Sequence, residues 1–300
     1  MKKHLGAILL LITTLFWGGG FVGQKYGADH LGTAAVIALR SVLAVAFLLV
    51  VQLVRRANGF DAKTLKAGAI CGVALFVPMY AQQLAFDAEV SPGVCAFLTA
   101  NYMLLVPVFG LFVGRRASVP EWVALVPAIV GTYLICVKEG ERFAVGTGEL
   151  LTLLCAALFA VEILVVDRFA PGTDTIALSI VMFATCGLCA LPFLALPAEA
   201  SRLTLESVTG ALPALLFLGV CASGIGYTLQ NVAQGMRTPP ALAAIVMSLE
   251  SVFGALFGWL FCNDVFSSRC LVGCALVFLA ALGAELTHVI GKGPACAETR

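Results

Sequence analysis

Ten separate apolar stretches, each about as long as a bilayer-spanning helix, follow one another along this chain with only short polar breaks between them. They fall, to within a few residues, at 5–23, 33–53, 67–86, 91–113, 121–137, 149–167, 175–196, 210–233, 239–261 and 269–290. Of the 300 residues, 61% are hydrophobic and only 12% are charged, more apolar surface than one water-soluble core of this length can hide. In lipid, backbone N–H and C=O groups find no water, so spans must be helices or a closed barrel. Long apolar runs without strict alternation select helices. The predicted fold is therefore all-α and integral to the membrane. The longest breaks, near 54–66 and 197–209, are too short to fold alone. A soluble active-site domain is excluded.

Charge distribution sets an expected orientation. With the N-terminus in the cytoplasm, inside segments carry Lys2, Lys3, Arg55, Arg56, Lys63, Lys66, Arg115, Arg116, Arg168, Arg237, Lys292 and Arg300. Outside segments carry Lys25, Lys138, Arg142, Arg202 and Arg269, and Arg40 lies within a span. This bias follows the positive-inside rule and places both termini in the cytoplasm. The opening Met1-Lys2-Lys3-His4 imitates a signal peptide, but the apolar run behind it is long and lacks a clear small-x-small cleavage site. It reads as a retained first helix. Most of the 11 cysteines fall inside spans, where cysteine behaves as a small hydrophobe. Cys186 and Cys189 have redox or metal spacing, yet no histidine is near them in sequence. No metal and no cofactor is expected.

The two halves resemble each other at an offset of about 145 residues. Tyr80, Gln83, Ser91 and Pro92 recur in order as Tyr227, Gln230, Thr238 and Pro239. Leu15-Phe16 with Gln24-Lys25 echoes Leu158-Phe159 with Asp167-Arg168, and Gly110 echoes Gly254. Five helices per half is an odd number, so the second half enters the membrane from the opposite side. The predicted architecture is ten transmembrane helices as two inverted five-helix repeats, 1–140 and 141–291, with a cytoplasmic tail at 292–300. Such a pair of repeats suits alternating access around one central site.

Several motifs carry a family resemblance. Phe16-Trp17-Gly18 with Phe21, Ala38-Leu39-Arg40, and Ala96-Phe97-Leu98-Thr99 leading through Leu105-Val106-Pro107 to Gly114-Arg115-Arg116 resemble the EamA-domain members of the drug/metabolite transporter superfamily. Ser248-Leu249-Glu250-Ser251-Val252-Phe253 is similar to that family's Leu-Glu-Pro-Val-Phe pattern, with Ser251 in place of proline. Asn263-Asp264 stands where Gly-Glu is usual. The likeness covers nearly the whole chain. It implies export or exchange of small metabolites, often amino acids or their relatives, across the bacterial cytoplasmic (inner) membrane, without fixing the substrate.

Ionisable and polar residues within spans are the candidate pathway residues, because charge at the bilayer centre is costly. Ten residues in from Pro240, at about 1.5 Å each, Glu250 lies roughly 15 Å deep, near the midplane. It is a candidate proton carrier or partner for a substrate amine; the alternative is a neutral acid in a packing hydrogen bond. Arg40 suits a substrate carboxylate, but also snorkelling or a structural ion pair. Glu162 either lines the pathway or pairs with Arg40. Tyr80 with Gln83, and Tyr227 with Gln230, share a helix face at i, i+3, with Asn231 and Gln234 widening the second patch. They read as symmetry-related gates or as interhelical hydrogen bonds. Trp17 beside an expected Gly18-Gly19-Gly20 turn is a cavity aromatic or an interfacial anchor. Asn101 and Tyr102 offer uncharged polar contacts, whereas Glu285 and His288 sit near the inner end of the last span in a bland setting. Pro78, Pro107 and Pro213 bend helices or release carbonyls.

The leading expectation is a secondary transporter, an exporter of a small organic metabolite, with proton exchange through Glu250 as a subordinate reading. No Walker A motif is present to couple it to ATP. The rivals are a non-transporting membrane sensor or assembly subunit, with a dry centre, and an integral-membrane enzyme. The latter lacks His-Glu-x-x-His, Gly-x-Ser-x-Gly and paired aspartates in spans. Expected partners are a small-molecule substrate, the lipid bilayer and a second copy of the chain, with no nucleic acid.

Overall fold

The computed structural model describes residues 2–56, 58–113, 119–136, 145–235 and 240–290. Their helices are α1 (Lys2–His30), α2 (Thr33–Arg55), α3 (Ala62–Asp87), α4 (Pro92–Thr99), α5 (Tyr102–Gly110), α6 (Val119–Cys136) and α7 (Thr147–Phe169). There follow α8 (Thr175–Leu194), the short α9 (Pro197–Arg202), α10 (Leu205–Leu216), α11 (Tyr227–Gly235), α12 (Pro240–Cys262) and α13 (Ser268–Ile290). Among the described residues, 7 helical runs are long and apolar enough to cross a membrane, and shorter apolar helices occupy Trp122–Ile135, Leu249–Cys262 and Ser268–Ala280. Together they account for all ten apolar stretches of the sequence.

Polar caps fix where several helices start. Asp61 accepts from the Thr64 N–H at 2.7 Å to open α3, and Ser91 with Pro92 opens α4. Asp174 accepts from the N–H groups of Ile176 and Ala177 at 3.1 and 2.9 Å to open α8. Partial burial disfavours the Asp174 carboxylate, but the Ala177 and Ile176 N–H groups and the Arg55 guanidinium outweigh it and hold the group below the usual carboxylate range. The N–H of Thr64 likewise lowers Asp61.

Two spans are not regular α-helix. The fourth breaks at Ala100–Asn101, between α4 and α5. The eighth contains a π-helical segment, Phe217–Gly226, between α10 and α11. Loosened backbone at membrane depth is tolerated only where it is buried in protein or lines a cavity. Thr99 and Tyr102, which flank the first segment, and Ala222 of the second line one cavity.

Helix pairing follows a two-fold pattern. Three helices pack against their own counterparts in the other repeat: α2 on α8, α4 on α12 and α6 on α13. The remaining contacts come in mirrored sets. The α1–α12 packing is repeated by α7 with α4 and α5, and α3–α7 packing is repeated by α1 with α10, α11 and the π segment. An inverted repeat generates this arrangement.

One local expectation is corrected. The Gly18-Gly19-Gly20 stretch is not a turn, because α1 continues through it to His30. In lipid the helical hydrogen bonds are retained despite glycine's poor propensity, since no water competes for them. The glycines serve close packing instead. A Cβ on Gly18 would stand 2.5 Å from Cβ of Phe253 and 3.0 Å from the Gly254 N on α12, so the helices meet nearly backbone to backbone. Gly18→Leu is therefore expected to force α1 from α12, costing about 2 kcal/mol or more. A lowered thermal midpoint of the detergent-purified protein checks this.

Candidate substrate cavity

The π segment and the residues flanking the α4–α5 break border a cavity of about 910 Å³ between the repeats. Its walls come from α1 (Leu10, Trp17, Phe21, Gln24), α2 (Arg40), α3 (Met79, Gln82), α4 and α5 (Thr99, Tyr102) and α7 (Phe159, Glu162, Val166). The second repeat adds Met182 of α8, Ala222 of the π segment, Tyr227 and Gln230 of α11, and Met247 and Glu250 of α12. The cavity reaches Ala170, Pro171 and Thr173 at the α7–α8 turn.

The opposite face, where the α1–α2 turn lies, is tied shut by polar contacts. Lys25 pairs with Asp29 at 3.0 Å and Glu89 at 2.6 Å. Arg202 pairs with Asp87 at 3.1 Å and donates to the Ala28 carbonyl, and Thr33 donates to Asp87 at 2.5 Å. Two second-repeat carboxylates also cap first-repeat helices. Glu199 accepts from the Ala34 N–H of α2 at 3.1 Å, and Asp264 accepts from the Gly93 N–H of α4 at 2.8 Å. Beneath them Gln24 donates to Gln82 at 3.0 Å, Gln82 donates to Thr99 at 3.1 Å, and Gln83 donates to the Gln24 carbonyl at 3.0 Å.

The cavity's charged groups are segregated by wall. Arg40 is only 5% exposed. Its Nη2 donates to Ser223 Oγ at 3.0 Å, and its Nε has no partner. Ser223 and Tyr227 are four residues apart, so the guanidinium belongs to the wall made by α2 and the π–α11 span. Tyr227 stacks tilted on Trp17 at 5.1 Å and edge-on to Phe183 at 5.3 Å, while the Trp17 indole N–H donates to the Ala222 carbonyl at 3.0 Å. That carbonyl lies within the π segment. The carboxyls occupy the wall formed by α5, α7 and α12. Tyr102 donates to Glu250 at 3.4 Å and its ring meets Phe159 of α7, three residues before Glu162. Among the described residues no ion pair joins Arg40 to Glu162 or Glu250. A buried guanidinium without a counter-charge is costly unless water or a ligand solvates it.

The sequence candidates divide accordingly. Trp17, Arg40, Tyr102, Glu162, Tyr227, Gln230 and Glu250 are brought together around the cavity. Tyr80, Gln83 and Asn101 are not among its lining residues. Tyr80 packs against Phe76 and Phe193, and Gln83 is spent on the α1 backbone. Asn101 donates to the Leu98 carbonyl at 3.0 Å and accepts from Thr132 of α6 at 3.2 Å, pinning the break between α4 and α5. The side chains of Asn231, Gln234, Glu285 and His288 lie outside the described residues. Arg40 does not pair with Glu162, which corrects that alternative. Sequence reading missed Gln24, Gln82 and Thr99. Gln82 sits beside Gln83 in the same motif, so a one-residue change of helical phase would have found it.

A multi-pass helical bundle with a cavity between inverted repeats, its largely apolar walls carrying Arg40, Glu162 and Glu250, fits one class: a membrane transporter. The EamA-like transporter family model matches residues 4–137 and again 146–285. The chain belongs to that family. It is similar to an uncharacterized transporter of Archaeoglobus fulgidus, 25% identical over 283 residues that cover 94% of this chain and 86% of the relative. It is also similar to the uncharacterized transporter YwfM of Bacillus subtilis, 23% identical over 286 residues and 94% of each chain. One crystal structure superposes with a TM-score of 0.70 at 19% identity, covering 97% of this chain and 100% of the other, a likeness of fold.

Because Asn101 holds backbone rather than cavity, Asn101→Ala is expected to remove two hydrogen bonds and cost about 1–2 kcal/mol of stability. Thermal unfolding in detergent, compared with Thr132→Val, checks it, and the two losses should be non-additive in the double variant.

Proposed function

We propose that the chain is a secondary transporter that exports a small organic metabolite, an amino acid or a related compound, by alternating access between its two five-helix repeats. One observation carries this reading: a cavity of about 910 Å³ within the bundle holds an unpaired, buried guanidinium in one wall and two carboxyl side chains in another. A solute with both a carboxylate and an amine complements that arrangement. Its carboxylate meets Arg40 through charge-assisted hydrogen bonds, and its amine meets Glu250 or Glu162. The apolar remainder of the lining, including Met79, Met182, Met247 and Phe159, accommodates a side chain. A sensor or assembly subunit would need a packed centre, and the cavity favours the transporter reading over it. Family membership and the names of the relatives further favour a transporter over an enzyme.

The family resemblance favours a bacterial cytoplasmic membrane location, and the Lys and Arg bias favours both termini inside. The α7–α8 face is then cytoplasmic, and the cavity faces the cytoplasm, as loading for export requires. Proton exchange belongs to Glu250, whose carboxyl sits at membrane depth with Tyr102 as its hydrogen-bond donor.

Counterflow in proteoliposomes against a panel of amino acids, nucleosides and small amines, with and without a pH gradient, tests the proposal. Exchange restricted to solutes bearing both groups is expected. Arg40→Gln should raise their KM about tenfold or more, as loss of a charged hydrogen-bond partner does. Glu250→Gln should retain exchange but lose gradient-driven flux. Full gradient-driven flux in that variant removes Glu250 as the proton carrier, and preference for uncharged solutes removes the zwitterion reading.

A further inference from the structure

One polar contact closing the α1–α2 face has a counterpart that, among the described residues, is not made on the other face. On the closed side the end of α1 meets the end of α3, where the Gln83 amide donates to the Gln24 carbonyl at 3.0 Å. The internal repeat maps Gln24-Lys25 onto Asp167-Arg168 of α7, and Tyr80 with Gln83 onto Tyr227 with Gln230 of α11. The counterpart of the α1–α3 junction is therefore an α7–α11 junction. Here Val166, next to Asp167, and Gln230 both border the cavity. Among the described residues the Gln230 side chain makes no hydrogen bond, whereas Gln83 is 1% exposed and its amide nitrogen is held by α1, its side-chain oxygen being left without a partner.

We propose that Gln83 and Gln230 are reciprocal gate residues: Gln83 bonds the Gln24 carbonyl when the cavity opens at the α7–α8 face, and Gln230 bonds the Asp167 carbonyl when it opens at the α1–α2 face. The proposal rests on the alternating-access reading above and assigns its two moving seams. Pseudo-two-fold symmetry makes each state of one repeat the image of the other repeat's opposite state. The asymmetry between Gln83 and Gln230 is the asymmetry a single state must show. Each amide occupies one partner at a time, so the two bonds compete through the shared motion, and loss of either shifts the population towards the other state.

The experiment uses the full chain in membranes, with the 11 native cysteines replaced. A reporter cysteine at Gly20, where a Cβ meets only ordinary contacts at 3.6 and 3.9 Å, is labelled by an impermeant maleimide applied to the α1–α2 face. Gln83→Ala is expected to raise the labelling rate about fivefold, and Gln230→Ala to lower it by a similar factor, the weight of one hydrogen bond. Independently, a Gln24→Cys and Gln83→Cys pair should be joined by a short bifunctional thiol reagent in the resting protein. An Asp167→Cys and Gln230→Cys pair should join only after Lys25→Ala and Glu89→Ala loosen the other seam. Retention of the monodisperse purified form excludes misfolded variants from the comparison. If labelling at Gly20→Cys responds to the loosened seam while the 167–230 pair never joins, the gate assignment is wrong and alternating access stands. If neither labelling nor cross-linking responds, alternating access itself is overturned.

Discussion

In lipid a backbone carbonyl or N–H has no solvent to fall back on, and the placement of everything else in this molecule answers to that constraint. It makes ten apolar stretches helical even where three consecutive glycines would melt a helix in water. Two departures from α-helix lie inside spans, at Ala100–Asn101 and Phe217–Gly226. There the freed groups find partners. Ala222 O accepts from Trp17, Gly226 O accepts from Thr13 and Leu98 O accepts from Asn101. The π segment lines the cavity through Ala222, and Thr99 and Tyr102 line it on either side of the other break.

The same logic applies to charge. Arg40 enters a low-dielectric setting with one neutral hydrogen bond, to Ser223, and a bare Nε. A purely structural arginine would be matched to a carboxylate, and two are present in the facing wall without reaching it. Among the described residues no ion pair joins Arg40 to Glu162 or Glu250, and this separation is what the proposed solute would bridge. At the α1–α2 face the balance is reversed: Glu199 and Asp264 meet helix N-termini, and Arg202 meets Asp87. These contacts tie that face closed.

Much of this was legible in the sequence because hydrophobic run length and repeat order are properties of the chain itself. The ten spans, their inversion and the placement of Glu250, Glu162 and Arg40 within spans follow from counting. Rotation about a helix axis does not follow so readily. The i, i+3 pairing with Tyr80 selected Gln83, but the cavity takes Gln82, one residue and about 100° away. Asn101 looked like a substrate contact because polar groups in spans usually mark function. Its role became visible only with the break it pins, and that break has no glycine or proline to announce it. Gln24 was overlooked because a glycine triplet suggested an early end to α1, a rule from water that lipid suspends. The paired motif of Tyr80-Gln83 and Tyr227-Gln230 was visible as a repeat, while the single state described here gives its two copies different environments.

The central claim is that water fills a hollow around an unpaired charge in the middle of an otherwise lipid-facing protein. Hydroxyl-radical footprinting of the native chain in lipid nanodiscs measures this directly, because methionine thioethers are oxidised by radicals formed from adjacent water. Met79, Met182 and Met247 line the cavity, whereas Met103 packs among Tyr102, Ala156 and Ala160. Oxidation of the three cavity methionines well ahead of Met103 is the predicted result. Equal and slow oxidation of all four would show a sealed, dry centre and contradict the account.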